Sequence, residues 1–168
     1  MSSETFATAI FLITAVVAAA ILVNAFFPVI YSATSTFTQS SHSADERLRT
    51  DIKIINAYSP DDGSATKVWI KNVGSTRIAD TDIEASDIYF GQPGNFDILL
   101  YTSGAPSGGE WTATIREDAQ NGYWDPGETL QLEMKPVITS PLPASGGVVY
   151  FQFVLPTGIA VSTTYSAT

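Results

Sequence analysis

Side chains that could bind a cation or exchange protons are gathered in a few short stretches of the 168-residue chain. Residues 117–128 read EDAQNGYWDPGE. If Gly122 takes the sixth position of a calcium loop, Glu117, Asn121, Asp125 and Glu128 fall at its first, fifth, ninth and twelfth. Ala119 spoils the third position, and the alternation after Glu128 is that of a strand, not a helix. These four are weak calcium candidates, set against a plain polar turn built on Asn121-Gly122 and Pro126-Gly127. Asp80, Asp82, Glu84 and Asp87 form a second acidic stretch. Paired carboxylates hold divalent cations or do acid–base work, but no second catalytic element accompanies them, and a solvated edge is expected. His42 is the single histidine and cysteine is absent, which removes disulfides, thiolate metal sites and most imidazole chemistry. No Ser-His-Asp arrangement, phosphate loop or zinc spacing occurs. No catalytic residue, confident metal site or cofactor is expected, and the chain reads as a non-enzyme.

Four residues have types suited to contact instead. Glu4 is the one charged residue near the amino terminus; an acid there complements a helix dipole, worth about 0.3–1 kcal/mol, or neutralises a neighbour's amino group in a bundle. Lys67, Trp69 and Lys71 alternate with Val68 and Ile70. If the valine and isoleucine fill a core, the pleat sends the tryptophan outward between two ammonium groups, an arrangement suited to anchoring a partner.

The elements that must position these residues divide the chain by charge. Between Thr5 and Ala44 there is no Asp, Glu, Lys or Arg; sixteen of seventeen acids and all eight bases follow, so the later part carries 8 − 16 = −8. The acidic balance argues against nucleic acid. Phe6 to Ile30 is apolar at all but four of twenty-five positions. At ~1.5 Å per residue it spans roughly 38 Å as a helix, beyond the ~30 Å of a hydrocarbon core. Met1-Ser2-Ser3-Glu4 holds no base and the apolar run is longer than a secretory signal's, so the helix is expected to stay in the mature protein. Tyr31–Asp45 has eight Ser or Thr among fifteen residues but neither Gly nor Pro. Phe37, Ala44 and Leu48 share one helical face, which predicts a helix continuing to about Arg49, bent at Pro28.

From Thr50 the period becomes two. Ile52/Ile54, Val68/Ile70 and Leu130/Leu132/Met134 alternate with polar residues, and Val148–Leu155 is apolar on both faces, as for a strand in the middle of the fold. Further strands are expected near 87–90, 96–101, 110–116 and 159–165. The fold class is therefore α+β, with a long hydrophobic helix and polar extension over residues 1–49 and a soluble antiparallel, immunoglobulin-like β-sandwich over residues 50–168.

The start SSETFATAIFLITAVVAAAILVNAFF, the helical extension ending in DERLRTDIKIIN, and the β-domain segments VWIKNVGSTRI and NGYWDPGETLQLEM together resemble the flagellin-like proteins of archaea. The chain most resembles the FlaG-type archaellum accessory (stator) proteins, relatives of FlaF and the archaellins. The resemblance implies a helix in lipid or in a helical bundle and a β-domain outside the cell membrane, in the pseudoperiplasm. It also implies self-association through the helix, pairing with a FlaF-type protein, and anchorage of the motor to the S-layer. The chain departs from archaellins and pilins in lacking a basic leader. The expected function is thus a structural, membrane-anchored part of the motility machinery. An archaellin- or pilin-like filament subunit is the first alternative, and a membrane-tethered ligand-binding β-module the second.

Overall fold

A computed structural model describes residues 3–60, 65–116, 121–136 and 145–168. Its chain divides into two compact units, Met1–Ala44 and Asp45–Thr168. The first is most of one helix, α1 (Ser3–Arg49). Its end at Arg49 and its passage through the Ser/Thr-rich stretch agree with the sequence pattern. The helix tolerates those hydroxyls because they bond back to its own carbonyls. Thr34 and Thr38 donate to Ile30 and Thr34 at 2.9 and 3.0 Å, and Ser43 donates to Gln39 at 3.1 Å. No α1 side chain is buried. Phe11, Leu12 and Ile13, 100° apart around the axis, are 80%, 64% and 63% exposed, so the apolar surface is not a stripe but the whole circumference. Among the described residues, α1 is the one helix long and apolar enough to cross a membrane.

The second unit holds β1 (Ile52–Tyr58), β2 (Thr66–Asn72), β3 (Ile78–Ala79), α2 (Asp80–Glu84), β4 (Asp87–Gln92), β5 (Asn95–Tyr101) and β6 (Glu110–Ile115). After these come β7 (Tyr123–Trp124), β8 (Thr129–Lys135), β9 (Val148–Val154) and β10 (Ala160–Ser166). Eight strands pair in the order β1-β2-β8-β6-β5-β4-β9-β10, and β3 and β7 form a separate ribbon. All pairings are antiparallel except β5–β6, which is parallel over Leu100↔Glu110 and Tyr101↔Trp111. At that short junction the sheet folds into two halves, β1-β2-β8-β6 and β5-β4-β9-β10, which enclose a common core as a sandwich. Val68, Ile70, Leu130 and Leu132 from one half and Ile88, Phe151 and Phe153 from the other are completely buried. The Trp111 ring spans them, meeting Tyr101 and Phe153 edge-on at 5.1 and 6.3 Å. This core draws nothing from α1 and belongs to the β-domain alone.

Every strand expected from the period-two pattern is present. One reading needs correction: β9 lies inside the sheet, but only Val149, Phe151 and Phe153 face the core, while Val148 is half exposed. Two apolar faces do not mean two covered faces. The ribbon and α2 have no counterpart in the sequence pattern.

The exit of α1 is fixed by a loop after β2. Thr50 closes the last turn, its N–H and hydroxyl both donating to Glu46 O at 3.0 and 2.8 Å. Val73 and Gly74 N–H donate to Asp51 O at 2.9 and 2.8 Å, and Ser75 N–H donates to Arg49 O at 2.8 Å. Asn72, wholly buried, organises this loop. Its amide donates to Thr76 O and Trp124 O at 2.9 and 3.2 Å, and its side-chain oxygen accepts from Gly74 N–H at 3.1 Å. A β-carbon at Gly74 would lie 2.5 Å from both Arg49 O and Asp51 N.

Gly74→Ala should therefore cost about 2 kcal/mol or more, on the scale of an overpacked site. Gly104→Ala, with nothing within 4 Å of its β-carbon, should stay within about 0.5 kcal/mol. Urea melts of residues 45–168 check both. The buried Tyr165 phenol titrates well above its ordinary range, and Tyr101 is raised too, first by burial and then by Glu84. Below about pH 10 the phenols are neutral in both states; above it the unfolded chain ionises first, so stability falls as pH rises. Tyr165→Phe should flatten that alkaline loss in melts taken between about pH 8 and 11.

Candidate interaction surface

The register of β2 against β8 puts Lys67, Trp69 and Lys71 opposite Glu133, Gln131 and Thr129 on the outer face of the first half-sheet. All three β2 residues are partly exposed, and Val68 and Ile70 between them are completely buried. The pleat expected from the alternation is the one observed. The indole is held by its edge: Trp69 Nε1 donates to Gln131 Oε1 at 3.2 Å. The same oxygen accepts from Arg116 Nε at 2.7 Å and from Arg116 Nη2. Gln131 is only 6% exposed, so it is the fixed centre on which the indole and the guanidinium are placed side by side. Lys67 Nζ pairs with Glu133 at 3.6 Å, both half exposed, an interaction worth at most about 1 kcal/mol. Sequence reasoning singles out the tryptophan and its lysines but misses Gln131 and Arg116. Their signal is present, since both lie in stretches reading as strands, but partners across a sheet follow from register, which spacing alone does not supply. The surface has contact chemistry: an aromatic plane among cations, suited to carboxylates or a flat apolar partner.

The turn from Asn121 to Glu128 is built by its own side chains. Asn121 accepts Tyr123 N–H at 2.9 Å and donates to Asp125 Oδ2 at 2.7 Å. Glu128 Oε2 accepts Asp125 N–H at 2.8 Å. Arg77 pairs with Asp125 Oδ1 at 3.3 Å, its guanidinium 4.8 Å from the Tyr123 ring centre. Gly122 and Gly127 have φ of 77° and 91°, the left-handed region that glycine enters freely. Of the calcium candidates, Glu117 lies outside the described residues; Asn121, Asp125 and Glu128 come together, each engaged by a protein donor or acceptor. Among the described residues no three acidic or histidine side chains converge as a metal site.

The acidic stretch is carried by α2 and the start of β4. Asp80 and Asp82 are partly buried and Glu84 and Asp87 exposed. Tyr101 Oη donates to Glu84 at 3.2 Å. Elsewhere, Ser107 N–H and Oγ both donate to Glu110 at 2.9 and 2.5 Å, which holds that carboxyl below its usual range. Glu4 sits in the exposed first turn of α1, far along the helix from the β-domain residues in sequence.

If protein groups alone hold the 121–128 turn, Asp125→Ala should cost about 1–3 kcal/mol in EDTA. The wild-type melting temperature should then be the same in EDTA and in millimolar calcium. A rise with calcium would mean that the same carboxylates bind it.

A family model described as archaeal-type flagellin matches residues 2–165. An uncharacterized protein of Archaeoglobus fulgidus is 30% identical over 170 residues, 99% of each chain. The archaellum periplasmic stator protein FlaG from Sulfolobus acidocaldarius is 27% identical with a TM-score of 0.54, over 69% of this chain and 99% of its own. In its complex with FlaF the values are 26% and 0.54, over 68% and 87%. The archaeal flagellum of Methanospirillum hungatei strain JF1 shares the fold over 97% of this chain and 93% of its own, with a TM-score of 0.71 at 15% identity.

Proposed function

The chain belongs to the archaeal-type flagellin family, and from that premise we propose that it is a structural, membrane-anchored component of the archaellum, a static part of the motor and not an enzyme. The observation that carries this reading is α1. Its apolar surface is exposed on every side within the chain, so lipid or the helices of neighbouring subunits must cover it. Each large apolar side chain gains about 1.5–3 kcal/mol on leaving water, and Phe6–Ile30 supplies enough of them to anchor the molecule. The β-domain, on this reading, lies outside the membrane in the pseudoperiplasm. Its Trp69 face meets a FlaF-type protein or the acidic surface of an S-layer protein. The likeness to FlaG in complex with FlaF supports the FlaF-type partner. The likeness to a flagellum over 97% of the chain favours a second reading, an archaellin-like filament subunit.

Mass spectrometry of sheared, purified filaments separates the two. A stator component stays with the detergent-soluble membrane fraction and is missing from filaments; recovery as a main filament protein would establish the second reading. Trp69→Ala should leave the domain folded and weaken binding to the envelope partner by about thirtyfold, the equivalent of a ~2 kcal/mol hot spot. Lys71→Ala should slow association tenfold or less. If Trp69→Ala binds normally in surface plasmon resonance, the contact lies elsewhere.

A further inference from the structure

The register places more on the Trp69 face than the indole and its two lysines. Across the sheet, Asn56, Trp69, Gln131 and Thr114 lie side by side on β1, β2, β8 and β6. Five of the eight bases, Lys53, Lys67, Lys71, Lys135 and Arg116, belong to the outward rows of these strands or directly follow them. Three acids accompany them, and each is engaged: Glu133 by Lys67 at 3.6 Å, Asp51 by Lys53 at 4.0 Å, and Glu110 by Ser107. The face therefore carries 5 − 3 = +2, in a domain that carries 8 − 16 = −8 from Asp45 onward. Among the described residues, Lys71 and Lys135 have no carboxylate partner. Gln131 points outward yet is only 6% exposed, so the indole and the guanidinium bonded to it are its cover. A ring bonded sideways to the next strand lies along the sheet and does not stand up from it.

We infer that this face is a binding site for an acidic polysaccharide, a chain of sugars that bear carboxylates. The inference rests on the reading above that Trp69 makes the envelope contact, and it names the chemistry met there. A pyranose ring has an apolar C–H face and a rim of hydroxyls. The C–H face stacks on an indole that lies along the sheet. The hydroxyls need groups that donate and accept beside the ring, and the row of Trp69 supplies them. Asn56 Oδ1 accepts Ala57 N–H at 3.0 Å, which leaves its NH2 to donate. Thr114 offers an exposed hydroxyl two strands away. The sugar's carboxylate calls for a cation. Lys71 follows the indole along β2, and Arg116 binds Gln131 through Nε and Nη2 only, so its remaining N–H groups can grip an acid. Lys67 and Lys71 are about 13 Å apart at ~3.3 Å per residue, so cations recur along a line, as suits a chain of repeated charges. An acidic polypeptide also brings carboxylates, but not the flat apolar plane ringed by hydroxyls that this row matches.

Tryptophan fluorescence reads this face directly in the full chain in a non-ionic detergent. Trp111 and Trp124 are completely buried, and Trp69 is the partly exposed one of the three. Tetragalacturonate at low ionic strength should change the emission saturably and protect Trp69 from acrylamide. Maltotetraose, an uncharged sugar of the same length, should bind at least tenfold more weakly. In isothermal titration calorimetry Trp69→Ala should lower the tetragalacturonate affinity at least tenfold with an unchanged melting temperature. Should Trp69→Ala unfold the domain, Lys71→Glu decides by a loss of the same size. The inference is overturned if tetragalacturonate does not bind, if the variant binds it unchanged, or if maltotetraose binds equally well. Poly-L-glutamate separates this inference from the reading it rests on. If it binds as tightly as tetragalacturonate and loses affinity in Trp69→Ala, the face meets acidic protein, so the earlier reading stands and the saccharide falls. If tetragalacturonate binding depends on Trp69 while envelope binding does not, the earlier contact falls and the sugar site stands.

Discussion

A helix that is apolar around its circumference and, among the described residues, has no buried side chain governs the rest of this molecule. Phe6–Ile30 exposes large side chains around the full circumference of α1. At about 1.5–3 kcal/mol each, their drive to leave water exceeds the ~5–15 kcal/mol net stability of an ordinary domain. A β-domain that offered its interior to this helix would lose its own packing. Here the core is built from the β-domain's own strands, through Trp111 and the two half-sheets. The Ser/Thr stretch fits the same constraint. Its hydroxyls are satisfied by carbonyls one turn back, so they do not leave the helix with unpaired polar groups.

The point where α1 ends is held by a dense set of backbone and side-chain hydrogen bonds. Asn72 takes part in the turn after β2, in the ribbon through Trp124 O, and in the β8 turn through its own N–H and C=O, which pair with Glu128 and Gly127. A residue that is completely buried and bonded in this way leaves little freedom to the loop beside it. Gly74 then fits against Asp51 because nothing larger does. The last turn of the helix, from Glu46 to Arg49, is in this way part of the domain's own hydrogen-bond network.

Much of this was legible in the sequence. Long apolar composition marks a helix, alternation marks strands, and the turn signals separate them, so α1 and the longer strands are found with their facing residues. Trp69 is readable because polar neighbours betray the pleat. What escapes has physical reasons. The two-residue strands β3 and β7 are too short to show a period, and Asn72 works through partners fifty residues away. β9 and β5 escape in a third way: where both faces of a strand are apolar, alternation carries no information about which face water reaches. On β5 the structure makes Phe96, Ile98 and Leu100 the outer row and Leu99 the inner one. Asn121, Asp125 and Glu128 are close in space as the spacing implies, yet the same polar groups are what a tight turn uses to hold itself.

The eight bases of the chain are partitioned as sharply as its apolar residues. All lie at the end of α1, in β1, β2 and β8, in the loop before β3, and just after β6, and none lies on β4, β5, β9 or β10. The two outer faces of one small sandwich therefore have different chemistry. One presents an indole and a guanidinium held in place by Gln131, beside two lysines; the other presents aromatic and aliphatic side chains with no base, Asp87 in its β4 row and Glu110 beside Leu100. A charged face discriminates between partners by sign and works at a distance set by ionic screening. A neutral face discriminates by shape and works only in contact.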